Sequence, residues 1–342
     1  AFVSYEITPN SLIRADKGEK GKRYLNVFRH VSVSTVDVLN PRVTEQFLDL
    51  THREYKRRYG KKFAEKLKGF FTDEPQYFRW GTSYTPMIAT YFREKYGEDI
   101  LNGLGLLFAE KSGYEEFRYK YWSGMRELFL RNFAEKVYGF CQENGVALTG
   151  HYIEETSLGG QMMCCGGVMP FYEYEHIPGI DWLGRGIGSE LPVKQVGSVA
   201  AQTGKNRILT ETFGCCGWDV TPRELKRLLD YQYLGGVNVM CHHLLPSSEY
   251  GQRKRDYPQH YTPLNPWIND GFKRFNEYYT RLGALIGHSN ETVNACILHP
   301  VTSAYIDYKR DCDGFNVGKL DADFIGWAEK LGENHIPHHY VD

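Results

Sequence analysis

Six times between residues 36 and 245 a short apolar run passes into a polar turn and then into a helix-length amphipathic segment. The runs are VDVLNP (36–41), GFFTDEPQ (69–76), VALTGHYIEE (146–155), GIDWLGR (179–185), ILTETFG (208–214) and GVNVMCHHLL (236–245). Strands that alternate with helices need crossover connections, and crossovers build a parallel sheet covered by helices. This rhythm predicts an α/β fold, a (β/α)8 TIM barrel whose first two strands are absent or supplied irregularly by residues 1–35. Those residues alternate apolar and polar side chains around a Lys/Gly-rich turn and read as a hairpin or strand pair.

Local signals fix several helices. Thr85-Pro86 starts one, with a cap and a first-turn proline in the expected order. Thr221-Pro222-Arg223-Glu224 reads as a capping box. Phe117, Tyr121, Met125, Leu128 with Phe129, Phe133 and Val137 recur every three or four residues and predict one long helix over 114–141. After Gly287 the pattern restarts with TVNACILHP, so the barrel is expected over 1–286 and part of a second α/β domain, a possible surface for homo-oligomers, over 291–342.

With 342 residues, 42% of them hydrophobic, the chain can bury a large core. Its 41 basic and 42 acidic residues are interspersed and carry no field that would recruit nucleic acid or a membrane surface. No apolar run reaches the roughly 18 residues of a membrane helix. The eight cysteines include two adjacent pairs, a usage that suits a reducing compartment and points to the cytoplasm. The chain begins with Ala1 and ends with the strand-like HHYVD, which reads as a piece of something longer.

In a barrel the strand ends carry the chemistry. Counting back from GVNVMCHHLL as the eighth strand makes ILTETFG the seventh and GFFTDEPQ the fourth, so acidic groups end strands on opposite sides of one mouth. Two carboxyl groups flanking a bond are what glycoside hydrolysis requires. Asp73 and Glu74 are adjacent and point to opposite faces of a strand, and Glu74 is taken as the one facing the mouth, with Asp73 as its support or a salt bridge to Arg79 as the alternative use of the pair. Glu211 is the second carboxylate. His151, Glu154 and Asp181 end or lie in neighbouring strands, Trp218 could stack on a sugar ring, and of His242 and His243, which alternate faces, His242 is taken as the substrate contact. The Arg253-Lys254-Arg255-Asp256 run follows strand eight and reads as a solvated loop. Cys164, Cys165, Cys215, Cys216, Cys241 and His242 could assemble a thiolate metal site, although no CxxC spacing is present; the leading expectation is no metal and no cofactor. A barrel retained only for carbohydrate binding is a further reading.

GFFTDEPQ, ILTETFG and an appended segment opening with VNACILHPVTSAY resemble the clan A glycoside hydrolases, above all the family 42 β-galactosidases. TGHYIEE, KQVGSVAAQTGK and GGVNVMCHHLLPSSEYGQRKRDYP resemble barrel hydrolases grouped with the family 106 α-L-rhamnosidases. The resemblance spans about residues 36 to 310. It implies that Glu74 is the acid/base and Glu211 the nucleophile, acting on a β-galactoside. Ends of strands four and seven that both face one barrel axis are expected to hold the two carboxyl groups about 5 to 5.5 Å apart, the spacing of a retaining enzyme. An inverting α-L-rhamnosidase is the alternative. In the clan the acid/base follows an asparagine, and Asp73 stands in that place here.

Overall fold

A computed structural model describes all residues except 78, 244–266, 268–270, 312, 313 and 316. The Arg253–Asp256 run lies outside the described residues. Residues 1–27 form a separate antiparallel sheet in which β1 (Val3–Ile7) pairs with both β2 (Leu12–Arg14) and β3 (Tyr24–Val27). Tyr5 anchors this sheet, fully buried with its hydroxyl donating to Leu101 O at 2.6 Å.

The strand expected over 36–41 is not formed. The Asp37 carboxylate accepts from Leu39 N–H and from Thr85 Oγ1, closing a turn, and Asn40 then caps α1 (Pro41–Leu50) directly. Helices α2 (His52–Tyr59) and α3 (Phe63–Lys66) lead into β4 (Gly69–Asp73). Thr85 caps α4 (Pro86–Tyr96) as its sequence indicates. The long helix is two pieces, α5 (Tyr114–Phe129) and α6 (Glu135–Glu143), joined by a π turn over Leu130–Ala134, so the apolar stripe shifts register midway.

The chain then alternates regularly: β5 (Ala147–His151), α7 (Leu158–Cys164), α8 (Met169–Tyr172), β6 (Gly179–Trp182), α9 (Leu191–Gln202), β7 (Leu209–Thr212), α10 (Pro222–Leu234) and β8 (Val239–His242). Strands β4 and β5 pair in parallel, as do β6, β7 and β8, and a parallel bridge between Thr149 and Ile177 joins the two groups. The result is a row of five parallel strands in sequence order, with their C-terminal ends on one side.

Gly150 shows how tightly the row is built. A Cβ there would lie 2.0 Å from Thr72 O, and one at Gly179 would lie 2.2 Å from Gly150 O. Both obstacles are backbone atoms and cannot swing away. Gly150→Ala is expected to cost about 3 kcal/mol or more, read as a lower urea midpoint with an unchanged slope.

Helix α11 (Gly271–Gly287) follows. Beyond it β9 (Ala295–Leu298), α12 (Val301–Asp307), the two-residue strands β10 (Arg310–Asp311) and β11 (Gly314–Phe315), α13 (Gly318–Glu333) and β12 (His338–Val341) complete the described elements. Strands β9 and β12 pair in parallel. Among the described residues no helix is long and apolar enough to cross a membrane.

Candidate active site

Strand register decides which side chains reach the mouth. Glu211 is the partner of Asp181 on β6 and of Cys241 on β8. Its neighbours Thr210 and Thr212 point the other way, bonded to Gln232 of α10. Alternation therefore turns Glu211 away from the helix layer.

His242 pairs with Thr212 and shares its outward face. Its Nε2 lies 3.1 Å from Asn276 Oδ1 of α11, and its ring packs against Phe213 and Phe272. The expected substrate contact is thus corrected: His243 is the histidine on the mouth side, its Nε2 3.9 Å from Glu211 Oε1. The alternation of the pair is as read from the sequence, but the choice between the two needed the register against β7.

Asp73 is the register partner of His151, 3.5 Å from its Nε2, and so already faces the mouth. Glu74 should then point away, yet its φ of 50° breaks the alternation and brings it to the same side. Both acids reach the mouth, where the adjacent-residue argument allowed one. Arg79 pairs instead with Glu154 at 3.6 Å. Glu74, Glu154, Phe213 and Cys215 all hold positive φ just past strand ends, a clustering of backbone strain expected of a working site.

A cleft of about 500 Å³ opens here, lined by Glu74, Glu154, Glu155, Asp181 and Trp182 among others. Glu211 does not line it but stands one strand over from Asp181, with 16% of its side chain exposed. Trp218 is exposed on the loop after β7 and is not a lining residue; Trp182 is one, but its buried ring packs against Tyr231 of α10.

His151 joins the acids. It is buried, its Nε2 is 2.9 Å from Glu211 Oε2 and its Nδ1 is 3.2 Å from Tyr152 O. Both partners are acceptors, so both ring nitrogens donate and the ring is an imidazolium. Burial opposes that charge, but the Glu211 hydrogen bond, joined by the charge of Asp181, outweighs it and raises the pKa. The same bond holds Glu211 below the usual carboxylate range. Glu74 moves the opposite way, raised by burial and by repulsion from Asp181 and Asp73. Asp181 is also raised, mainly by burial.

The pair implies a pH-dependent stability. A raised histidine stabilises the fold below its unfolded pKa and loses that contribution as pH rises through the folded value; a lowered carboxylate stabilises above its unfolded pKa and loses it as pH falls. His151→Gln should therefore cost about 3 kcal/mol near pH 7, with the gap from wild type closing at strongly alkaline pH and again in acid. Urea unfolding across pH measures this, and a pH-independent gap would remove the imidazolium.

Sequence reasoning missed Glu155. It is 3% exposed, its Oε1 accepts from Tyr172 Oη at 2.6 Å, and burial pushes its carboxyl well above the usual range. The doubled glutamate of GHYIEE was the available signal. Among the described residues, the His, Cys, Asp and Glu side chains within metal-ligand reach of one another are Asp73, Glu74 and His151, with ligand atoms inside 4.8 Å. The group contains no cysteine: Cys164 and Cys165 are buried at the end of α7, while Cys215 is exposed on the loop after β7.

No family model matches the chain, and no curated protein sequence matches it. Solved structures do. A rhamnosidase from Novosphingobium sp. PP1Y superposes with a TM-score of 0.64 at 17% identity, over 95% of this chain and 32% of that one. A cold-adapted β-galactosidase from Rahnella sp. R3 gives 0.61 at 10% identity, over 90% and 49%. One from Bacillus circulans sp. alkalophilus gives 0.59 at 12%, over 94% and 50%. The chain spans about a third of the first and half of the others, and its fold is that of glycoside hydrolases.

Proposed function

We propose that the chain is the catalytic part of a glycoside hydrolase, with β4–β8 forming one side of a (β/α)8 barrel and 291–342 belonging to a second α/β domain. The observation that carries this is the opposed pair: Glu74 is driven toward its protonated form and Glu211 toward its ionised form, at strand ends on one mouth. Carboxyl groups whose environments separate them in this way take the acid and the anion roles.

In the retaining reading, Glu74 gives its proton to the glycosidic oxygen as that bond breaks. Glu211 Oε1, the oxygen not held by His151, attacks the anomeric carbon and forms a glycosyl ester. Glu74, now ionised, takes a proton from water, whose oxygen displaces Glu211. His151 fixes the carboxylate and keeps it anionic.

A β-galactoside is the first substrate proposed, from the resemblance of the strand-end motifs and the β-galactosidase neighbours. The α-L-rhamnoside reading is favoured by one observation, the higher coverage and identity of the rhamnosidase superposition. Nitrophenyl glycosides of both sugars, with proton NMR of the first-formed anomer, test substrate and stereochemistry together. Absence of turnover on a broad aryl-glycoside panel, with retained sugar binding, would favour a binding barrel.

A further inference from the structure

Two loops wall the cleft, one after β5 (residues 153–156) and one after β6 (residues 183–189). Each runs into a helix, and each helix start is held by the C-terminal unit. Asp321 of α13 accepts from Leu158 N at 2.6 Å and Gly159 N at 3.4 Å, capping α7 from outside. The first wall is thereby fixed at its exit. At the exit of the second, Glu190 Oε1 lies 2.9 Å from His338 Nε2 and 3.0 Å from Tyr340 Oη.

The two grips belong to one body. Phe324 of α13 packs on Tyr340 of β12 with ring centroids 5.0 Å apart, and β12 is further fastened to α9 by Ser198 and Gln202. Between the walls, Gln161 of α7 and Gln195 of α9 bond each other at 3.1 Å, and both donate to Glu155 O. A change in the tilt of the C-terminal unit would alter the separation of both walls at once.

We propose that Asp321 and His338 are positioning residues for the cleft, so that the C-terminal unit sets the spacing of the walls that receive the sugar. The inference rests on the glycosidase reading for its kinetic test alone. Neither side chain touches the reacting groups, so the effect should fall on substrate placement: a misplacement of an ångström or less reduces productive binding without altering the carboxylates.

Asp321→Ala is expected to lower kcat/KM about 10-fold, mostly through KM, on an aryl glycoside assayed well below the unfolding temperature. Asp321→Asn, which keeps an acceptor for Leu158 N–H, should restore it to within about 3-fold. His338→Ala tests the other wall and serves if Asp321→Ala does not fold. Tyr5→Phe is the control, because the Tyr5 hydroxyl donates to Leu101 O beside the N-terminal sheet and bonds neither wall nor the C-terminal unit; it should lower the melting temperature while leaving kcat/KM in place.

Amide hydrogen exchange reads the same idea without any substrate. Residues 153–156 and 186–190 should exchange faster in Asp321→Ala and His338→Ala, and β7 should not. Unchanged exchange in those loops, or kcat/KM within 2-fold of wild type in both variants, overturns the inference. Lack of turnover by the wild-type protein would instead count against the glycosidase reading, leaving the exchange result to decide the positioning role.

Discussion

Glu211→Gln is expected to lower kcat by about 10⁴-fold or more on every glycoside, activated or not, while leaving sugar binding and the fold in place. The amide keeps the volume of the carboxylate and an oxygen that can accept from His151 Nε2, which lies 2.9 Å from Glu211 Oε2. It has no charge with which to attack an anomeric carbon or stabilise the positive charge that develops there. Because this loss concerns the sugar side of the bond, leaving-group quality cannot compensate for it. Single-turnover kinetics on a dinitrophenyl glycoside measure it directly. A loss below about 100-fold would exclude Glu211 as nucleophile. In a Glu211→Gly variant, azide should restore turnover and give a glycosyl azide of inverted configuration if the enzyme retains; no azide adduct is expected from an inverting one.

Much of this site could be read from the chain, because strand ends are marked by composition. ILTETFG announces a buried strand that stops at a carboxylate, and Thr221 with Glu224 announces the next helix; both stand in the structure as read. What failed had a local physical cause. VDVLNP has strand composition, yet the Asp37 side chain competes for the backbone and makes a turn. Strict alternation along GFFTDEP allowed one acid at the mouth and chose Glu74; Asp73 faces it too, because Glu74 takes a left-handed φ that sequence does not announce. The choice between His242 and His243 turned on a one-residue register that no single strand contains. Glu155 was passed over for Glu154 since nothing in two adjacent glutamates says which one α7, α8 and α9 enclose.

Glu74→Gln should behave unlike Glu211→Gln, and the difference is diagnostic. On a glycoside with an alkyl or sugar leaving group, loss of the proton donor is expected to cost between about 10² and 10⁴ in kcat/KM, the range general acid catalysis supplies. On a dinitrophenyl glycoside, whose leaving oxygen needs no proton, the loss in the bond-breaking step should stay within about 10-fold. The pH profile carries the same information. Burial and the neighbouring Asp181 and Asp73 raise Glu74, so wild-type activity should hold to higher pH than an ordinary carboxylic acid allows and fall as pH rises through the Glu74 value. Glutamine does not titrate, and that alkaline limb should vanish in the variant. The acid limb belongs to Glu211, held low by His151, and should stay where it is. Equal losses on both leaving groups would move the acid role elsewhere. Asp181 is then the residue to test: it lines the same cleft, is also raised mainly by burial, and is the register partner of Glu211. In that case Asp181→Asn, not Glu74→Gln, would show the dependence on leaving group and lose the alkaline limb.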